Sequence, residues 1–206
     1  MFTYKICFLF FICIAMKKLR LIVIGVVVLF ALWVGSKYNG LVTLDESVKT
    51  AWGQVENVYQ RRLDLVPNLV NTVKWAAAQE SSVLIWVTEA RAKATNLNVS
   101  LNDAQSLAAY QKTQWDLTSA LGKLLAITEN YPQLKSIQTF SDLMTQLEGT
   151  ENRITVERMN FNTTAKAYNI AIRSFPANIV AWLFGFDAVA LFSAEKWAET
   201  APKVQF

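Results

Sequence analysis

The sequence contains no histidine, and this absence excludes several kinds of active site. Ser-His-Asp and Cys-His catalysis, histidine metal ligands and the Glu-x-x-His motifs of di-iron bundles all need that side chain. The two cysteines, Cys7 and Cys13, lie near the N-terminus, so the rest of the chain has no disulfide and no cysteine metal site. The seven glycines are scattered and form no phosphate-binding loop. We therefore expect no cofactor and no metal ion.

A basic surface patch is also missing, although the formal net charge of the 206 residues is +4. Four basic residues near the N-terminus supply the whole excess: Lys5, Lys17, Lys18 and Arg20. The other 16 basic residues balance the 16 acidic ones, so the chain from Ser36 onward is formally neutral. Nucleic-acid binding needs a patch in which bases outnumber acids, and we expect no nucleic-acid partner.

One uncharged apolar run extends from Leu21 to Ser36 and is about long enough, with its flanks, to span a bilayer. We assign residues 16–36 to a transmembrane anchor, with Trp33 and Tyr38 at the outer interface. The alternatives are a buried core helix, which the absence of a polar stripe disfavours, and a cleaved signal peptide, for which no good cleavage site precedes Lys37. More basic residues precede the run than follow it, which predicts an exported body.

Residues 1–15 form a doubtful extension. A second apolar run, from Ile6 to Ala15, is too short to span a membrane and is followed at once by Met16 and a basic cluster. We interpret Met16 as the translated initiator, a hypothesis that the intact mass of the natural protein would test.

A heptad of apolar residues organises the region from about Pro132 to Phe175 and predicts one long, coiled-coil-like helix. Its a and d positions are Ile137, Phe140, Met144, Leu147, Ile154, Phe161, Ala165, Tyr168, Ile172 and Phe175. Two charged residues, Glu151 and Arg158, lie on the same stripe. We interpret them, with Glu80 and Arg91 on an earlier helix, as buried structural pairs that fix helix register. Acid–base chemistry by Glu148 and Glu151 is the alternative, but Glu148 is expected to face solvent.

Three further helices precede this one. The first continues from the anchor to about Leu65, where Val66-Pro67 predicts a tight reversal with Asp64 as a cap. The second runs to about Ala94, and the third opens at Asn102 or Asp103 and ends near Glu129, before a second reversal at Tyr131-Pro132. Short connections predict an all-α, antiparallel up-down-up-down four-helix bundle over residues 37–175. The long helix exceeds the first in length, which predicts a break near Gly149 or a projecting end.

The bundle geometry brings the last segment, residues 176–206, near the bilayer. Because the first helix rises from the membrane, the fourth should descend to it. Asn178–Phe192 is rich in apolar residues, and we predict an interfacial helix or hairpin that contacts lipid through Trp182, Phe184 and Phe186. The alternative is that this segment packs back on the bundle.

Several short motifs resemble the LemA family of bacterial membrane proteins. They include Tyr38-Asn39-Gly40-Leu41-Val42, Arg61 to Val70 (RRLDLVPNLV), Tyr131-Pro132-Gln133-Leu134-Lys135, Leu147 to Ile154 (LEGTENRI) and Phe175-Pro176. The resemblance runs in order from about Tyr38 to Phe186 and implies one N-terminal membrane helix and an antiparallel helical body. Where the family usually has His-Glu, this chain has Gln79-Glu80, a departure that argues against a chemical requirement for a histidine there. One branch of relatives resembles components of magnetosome membranes, an analogy for membrane organisation only.

Together these features predict a non-enzymatic, membrane-tethered scaffold of the bacterial cell envelope, single-pass in the inner membrane, with membrane lipid and unidentified proteins as partners. Its candidate interaction residues lie at the two predicted distal turns: Arg61, Asp64, Pro67, Asn68, Tyr131 and Pro132. For these residues a purely structural role, capping and closing the bundle, is the competing interpretation. The alternative function is a membrane-shaping or lipid-binding protein that self-associates as a homo-oligomer.

Overall fold

The computed structural model describes residues 2–76, 81–96 and 99–193, and for residues 2–19, 75, 76 and 135 it describes the backbone alone. Every regular element in these ranges is a helix, and none of their residues forms a strand. The helices are α1 (Phe2–Ala76), α2 (Ser81–Thr95), α3 (Ala104–Thr128), α4 (Pro132–Lys135), α5 (Gln138–Arg173) and α6 (Ala177–Phe184). The predicted all-α class, with its long apolar N-terminal helix, is confirmed.

The predicted reversal at Val66-Pro67 is wrong, because α1 continues through Pro67 to Ala76. A proline inside a helix cannot donate to the carbonyl four residues earlier, which here belongs to Leu63, and this normally costs about 3 kcal/mol. In this fold Arg91 of α2 supplies the missing donor: its Nε donates to the Leu63 carbonyl oxygen at 2.9 Å. The extension beyond Pro67 also buries Leu69 and Val73. A donor from the neighbouring helix thus compensates for the proline.

The longer α1 removes the predicted mismatch in helix length. α5 is continuous through Gly149, so the expected break there is absent. The chain breaks earlier, at Ser136 and Ile137, which separate the single turn of α4 from α5. Most of the predicted seam is buried, but Phe175 lies beyond the end of α5 and is 82% exposed, so its assignment to the seam is wrong. The predicted cap of α3 is confirmed, since the Asp103 carboxylate accepts from the Gln105 amide at 2.9 Å.

Helix α5 packs antiparallel to α1, because Trp52 contacts Phe161 and, farther along α1, Arg62 bonds to Glu151 nearer the start of α5. The buried residues of the body form two apolar cores. The distal core, far from the apolar run, contains residues of α1 to α5: Leu63, Val66, Leu69, Val73, Leu84, Val87, Ala90, Ala94, Leu117, Ala120, Leu121, Leu124, Leu134, Phe140, Leu143 and Leu147. The proximal core lies nearer that run: Leu41, Val48, Trp52, Val55, Tyr59, Leu107, Tyr110, Ile154, Phe161, Ala165, Tyr168, Ile172, Val180, Ala181, Val189 and Phe192.

The C-terminal segment both turns at the proximal end and packs back on the body. Gly185 ends α6 with φ of +73°, a left-handed conformation that glycine adopts without strain. Residues 186–193 then run back along α5, where the side-chain amides of Asn169 and Asn162 each exchange two hydrogen bonds with the backbone of Val189 and Phe192. The packing alternative therefore holds for this stretch.

Some predicted positions lie outside the described residues. They include Glu80, with its expected inward side chain, and Gln79 beside it. The C-terminal part of the last segment, residues 194–206, is also outside them.

The hydrogen bond between Arg91 and Leu63 gives a double-mutant test. We expect Arg91→Met to lower the free energy of unfolding by about 1–2 kcal/mol, because the Leu63 carbonyl loses its donor. In a Pro67→Ala background the loss should be smaller by at least about 0.5 kcal/mol, because the new alanine has a backbone amide that can donate to the same carbonyl. Denaturant unfolding followed by circular dichroism measures both values.

Lys93→Ala provides the control, since Lys93 is exposed on the same helix. It should change stability by less than about 0.5 kcal/mol in either background. Equal losses from Arg91→Met with and without Pro67 would contradict the compensating role of Arg91.

Candidate functional site

A polar layer centred on Arg62 separates the two apolar cores. Arg62 belongs to α1 and is only 1% exposed. Its guanidinium donates to the Glu151 carboxylate of α5 at 2.7 Å and to the Thr118 hydroxyl of α3 at 2.8 Å. It also donates to the side-chain oxygen of Gln114 at 2.7 Å. One arginine therefore joins three helices at a single level of the body.

Sequence reasoning missed Arg62 and grouped Glu151 with Glu80, Arg91 and Arg158 instead. The available signal is the 3,4 spacing of buried residues along α1, which passes directly through Arg62: Val55, Tyr59, Arg62, Val66, Leu69 and Val73. The expected helix end near Leu65 concealed this pattern, because it cut the stripe just after the arginine. Arg158 lies instead with its guanidinium 4.7 Å from the ring centre of Phe192.

Three of the residues predicted as buried pairs, Glu151, Arg158 and Arg91, are only partly buried. The Glu151 side chain is 47% exposed and reaches the Arg62 guanidinium from the surface. Arg158 and Arg91 are half-buried, and Arg91 bonds to a backbone carbonyl rather than to a carboxylate.

A cleft of about 180 Å³ opens beside the Arg62 layer, between α1, α3 and α5. Its lining includes Arg62, Gln114, Glu151 and Arg158, together with the Tyr59 ring. Two buried donors have no partner among the described protein atoms, the Nε of Arg62 and the Nε2 of Gln114. Charged and amide side chains therefore line a small, partly open space.

The tyrosines near this layer are poor candidates for acid–base catalysis. Burial raises the pKa of the Tyr59 phenol, and burial likewise raises the pKa of Tyr110. Tyr168, lower in the proximal core, has its pKa raised to about 12, mainly by burial, and its hydroxyl donates to the Asp187 carbonyl at 3.0 Å. The raised pKa values favour protonated phenols at neutral pH, a state that does not suit a general base.

Among residues 20–74, 81–96 and 99–193, no group of three or more cysteine, aspartate or glutamate side chains is placed to hold an ion. What the Arg62 layer does provide is a set of directional hydrogen bonds inside an otherwise apolar interior. Such bonds fix the relative heights of α1, α3 and α5.

The predicted interaction residues do not meet at one exposed end. Arg61, Asp64 and Asn68 lie on a continuous part of α1, where their three- and four-residue spacing forms one exposed stripe. Asp64 caps no helix and accepts instead from the Gln60 side chain at 2.8 Å. Pro67 is half-buried within α1. Only Tyr131 and Pro132 lie at a turn, the one that opens α4 at the distal end.

Four of the predicted membrane-contact residues cluster where α1 enters the body. The Tyr38 ring packs against the rings of Phe184 and Phe186, whose centres lie 4.8 and 5.7 Å from its own. Trp33 is half-buried and packs against the proximal core. Trp182 points away from the body and is 84% exposed. The part of α1 from Arg20 to Lys74 contains an unburied stretch long and apolar enough to cross a membrane.

The ion pair between Arg62 and Glu151 predicts an asymmetric response to substitution. Glu151→Ala should lower the free energy of unfolding by about 2–3 kcal/mol, because it leaves a buried guanidinium with only neutral acceptors. Joint replacement by Arg62→Met, Gln114→Leu and Glu151→Leu should recover stability to within about 1 kcal/mol of the parent. Denaturant unfolding in detergent measures these differences.

Glu148→Ala is the matched control, because Glu148 is an exposed carboxylate one turn from Glu151 on the same helix. It should change stability by less than about 0.5 kcal/mol. If Glu151→Ala and Glu148→Ala unfold alike, the Arg62 layer does not contribute as described.

Comparison with known proteins identifies relatives of this chain. The family model described as "LemA family" matches residues 51–206. The chain is 29% identical over 183 residues to Magnetosome protein MamQ 2 of Paramagnetospirillum magneticum, an alignment that covers 80% of this chain and 67% of that protein. It is similar at the same identity and coverage to Magnetosome protein MamQ of Magnetospirillum gryphiswaldense. Protein LemA of Metamycoplasma hominis is 25% identical over 169 residues, covering 82% of this chain and 74% of the relative. The chain belongs to the LemA family.

Proposed function

We propose that this protein is a membrane-tethered scaffold without catalytic activity, which presents its helical body to protein partners in the bacterial cell envelope. The observation that supports this best is the continuity of α1 from the apolar run to Ala76. A single helix without a flexible joint makes the body a rigid extension of its anchor. At 1.5 Å per residue, the part of α1 beyond Tyr38 reaches about 57 Å from the apolar run.

The surface available to partners is the polar stripe of α1 together with the turn before α4 at the distal end of the body. Arg61, Asp64 and Asn68 form the stripe, and Pro132 is exposed at the turn before α4. Because the Arg62 layer holds α1 in register from within, the stripe is preorganised on its outer face. A preorganised polar surface suits a protein partner, since little side-chain ordering is then needed on binding.

We further propose a single pass through the inner membrane with the body on the exported side. Lys17, Lys18 and Arg20 precede the apolar run, whereas Lys37 and Lys49 follow it. Basic residues favour the cytoplasmic side of a membrane helix, which supports an N-terminus in the cytoplasm.

A second candidate function is lipid binding or membrane shaping by self-associated copies. The observation that favours it is the exposed apolar side of α6 at the proximal end, where Trp182 is 84% exposed. The names of the magnetosome relatives are compatible with a role at a membrane-bounded compartment, and that role is a proposal for this chain.

Site-specific photo-crosslinking in native membranes tests the scaffold function. A photoreactive residue placed at Asp64, Asn68 or Pro132 should form a discrete crosslink to a partner protein. Mass spectrometry should identify the same partner from all three positions and in repeated experiments. The crosslink from Asn68 should weaken at least about threefold when Arg61→Ala and Asp64→Ala are added, because the polar stripe loses its charges. Thr145, exposed on α5, is the control position and should not capture that protein.

Crosslinks from all positions to lipid and to further copies of the chain alone would contradict the scaffold function and favour the second candidate.

A further inference from the structure

Helix α6 is apolar on two opposite sides. At about 100° per residue, Val180, Ala181 and Phe184 lie on one side, and Ile179, Trp182 and Leu183 lie on the other. The first side packs on the body: Val180 and Ala181 are buried and the Phe184 ring contacts Tyr38. The second side is 53–84% exposed. A short helix with two apolar sides normally has both sides covered, so the second side requires a partner that the described part of the chain does not supply.

The level of α6 along α1 identifies that partner. Trp33 and Val34, which belong to the apolar run that we assign to the bilayer, pack against the same proximal core that contains Val180 and Ala181. Tyr38, two residues beyond the run, contacts the last residue of α6. The helix therefore lies beside the outer end of the apolar run, where a bilayer has its headgroup and upper acyl region.

The direction of the chain on either side of α6 agrees with this level. α5 descends to Arg173, the exposed residues Phe175 and Ile179 follow, and after Gly185 the chain returns along α5 away from the run. Among the described residues, α6 is thus the lowest part of the body beside α1. Lys37 and Arg173 are exposed near the same end and can face anionic headgroups.

We propose that the outer side of α6, formed by Ile179, Trp182 and Leu183, inserts into the bilayer surface as a second membrane contact beside α1, with the exposed Phe175 just before the helix. The proposal rests on the proposed function only in taking α1 as the anchor. Together α1 and α6 would contact the membrane at two points and so restrict the tilt of the body. With α1 alone as the anchor, this tilt could vary. Phe186, which sequence reasoning grouped with the lipid contacts, instead packs half-buried against Tyr38 as part of the support.

Fluorescence quenching in proteoliposomes tests this contact with the full chain. Cys7 and Cys13 are replaced by serine, and one environment-sensitive label is attached at Leu183→Cys, Met159→Cys or Val27→Cys. The vesicles contain phosphatidylethanolamine and phosphatidylglycerol with nitroxide-labelled lipid, carrying the nitroxide high or deep in the acyl chain. Met159 is the matched control, because it is an apolar side chain of nearly the same exposure, 63% against 64% for Leu183, but lies higher on α5.

The label at Leu183 should be quenched by the shallow nitroxide at least about threefold more than the label at Met159, as expected for insertion about 5–10 Å below the headgroups. Equal quenching at Leu183 and Met159 would overturn the proposal. A Leu183 label that neither the lipid nitroxide nor aqueous iodide quenches would also overturn the proposal. If this shielding increased with the protein-to-lipid ratio, a second copy of the chain would be covering α6.

The label at Val27 reports on the anchor separately. Strong quenching by the deep nitroxide at Val27 without quenching at Leu183 would reject the α6 contact and leave the anchor intact. Quenching at Leu183 without quenching at Val27 would support the α6 contact and reject the proposed anchor.

Discussion

The unbroken course of α1 is the constraint on which the other helices rely for their placement. It is maintained at Pro67 by the hydrogen bond from Arg91 of α2 to the Leu63 carbonyl. Because α1 continues to Ala76, its body part and α5 have similar lengths, and α5 ends beside the start of the body. Leu41 and Ile172 accordingly lie in the same proximal core. The position of α6 beside the apolar run follows directly from this match.

A second constraint acts across the helices rather than along them. Apolar contacts are not directional, so the two apolar cores define the relative heights of the helices less sharply than directional hydrogen bonds do. Arg62 supplies such bonds, because its donors meet acceptors on α3 and α5 at one level of the body. Its carboxylate partner, Glu151, stays in contact with solvent, which limits the desolvation penalty of the ion pair. The layer therefore contributes specificity of register at a modest energetic cost.

Periodicity was sufficient for the helical class, the apolar N-terminal helix and most of the α5 seam, and residue type indicated the α3 cap at Asn102 or Asp103. Periodicity was not sufficient at Pro67. Whether the helix continues through this proline depends on Arg91, whose Nε donates to the Leu63 carbonyl although the two residues are 28 positions apart. The same error hid Arg62, whose burial is evident only when α1 is followed past Leu65. The C-terminal segment packs on the body through hydrogen bonds from Asn162 and Asn169 to its backbone. Residue periodicity cannot predict such bonds, because they do not depend on the side chains of that segment. Long-range polar contacts of this kind are what local patterns leave out.

A rigid rod fixed to a membrane requires α1 to keep its full length in solution. Spin labels at Lys37 and Lys74, both exposed, in a variant with Cys7→Ser and Cys13→Ser, allow that length to be measured by pulsed electron paramagnetic resonance in nanodiscs. A continuous helix predicts one narrow distance distribution centred at about 56 Å, at 1.5 Å per residue. A distribution centred at about 30 Å, as expected if the chain reversed at Pro67, would contradict the continuity of α1.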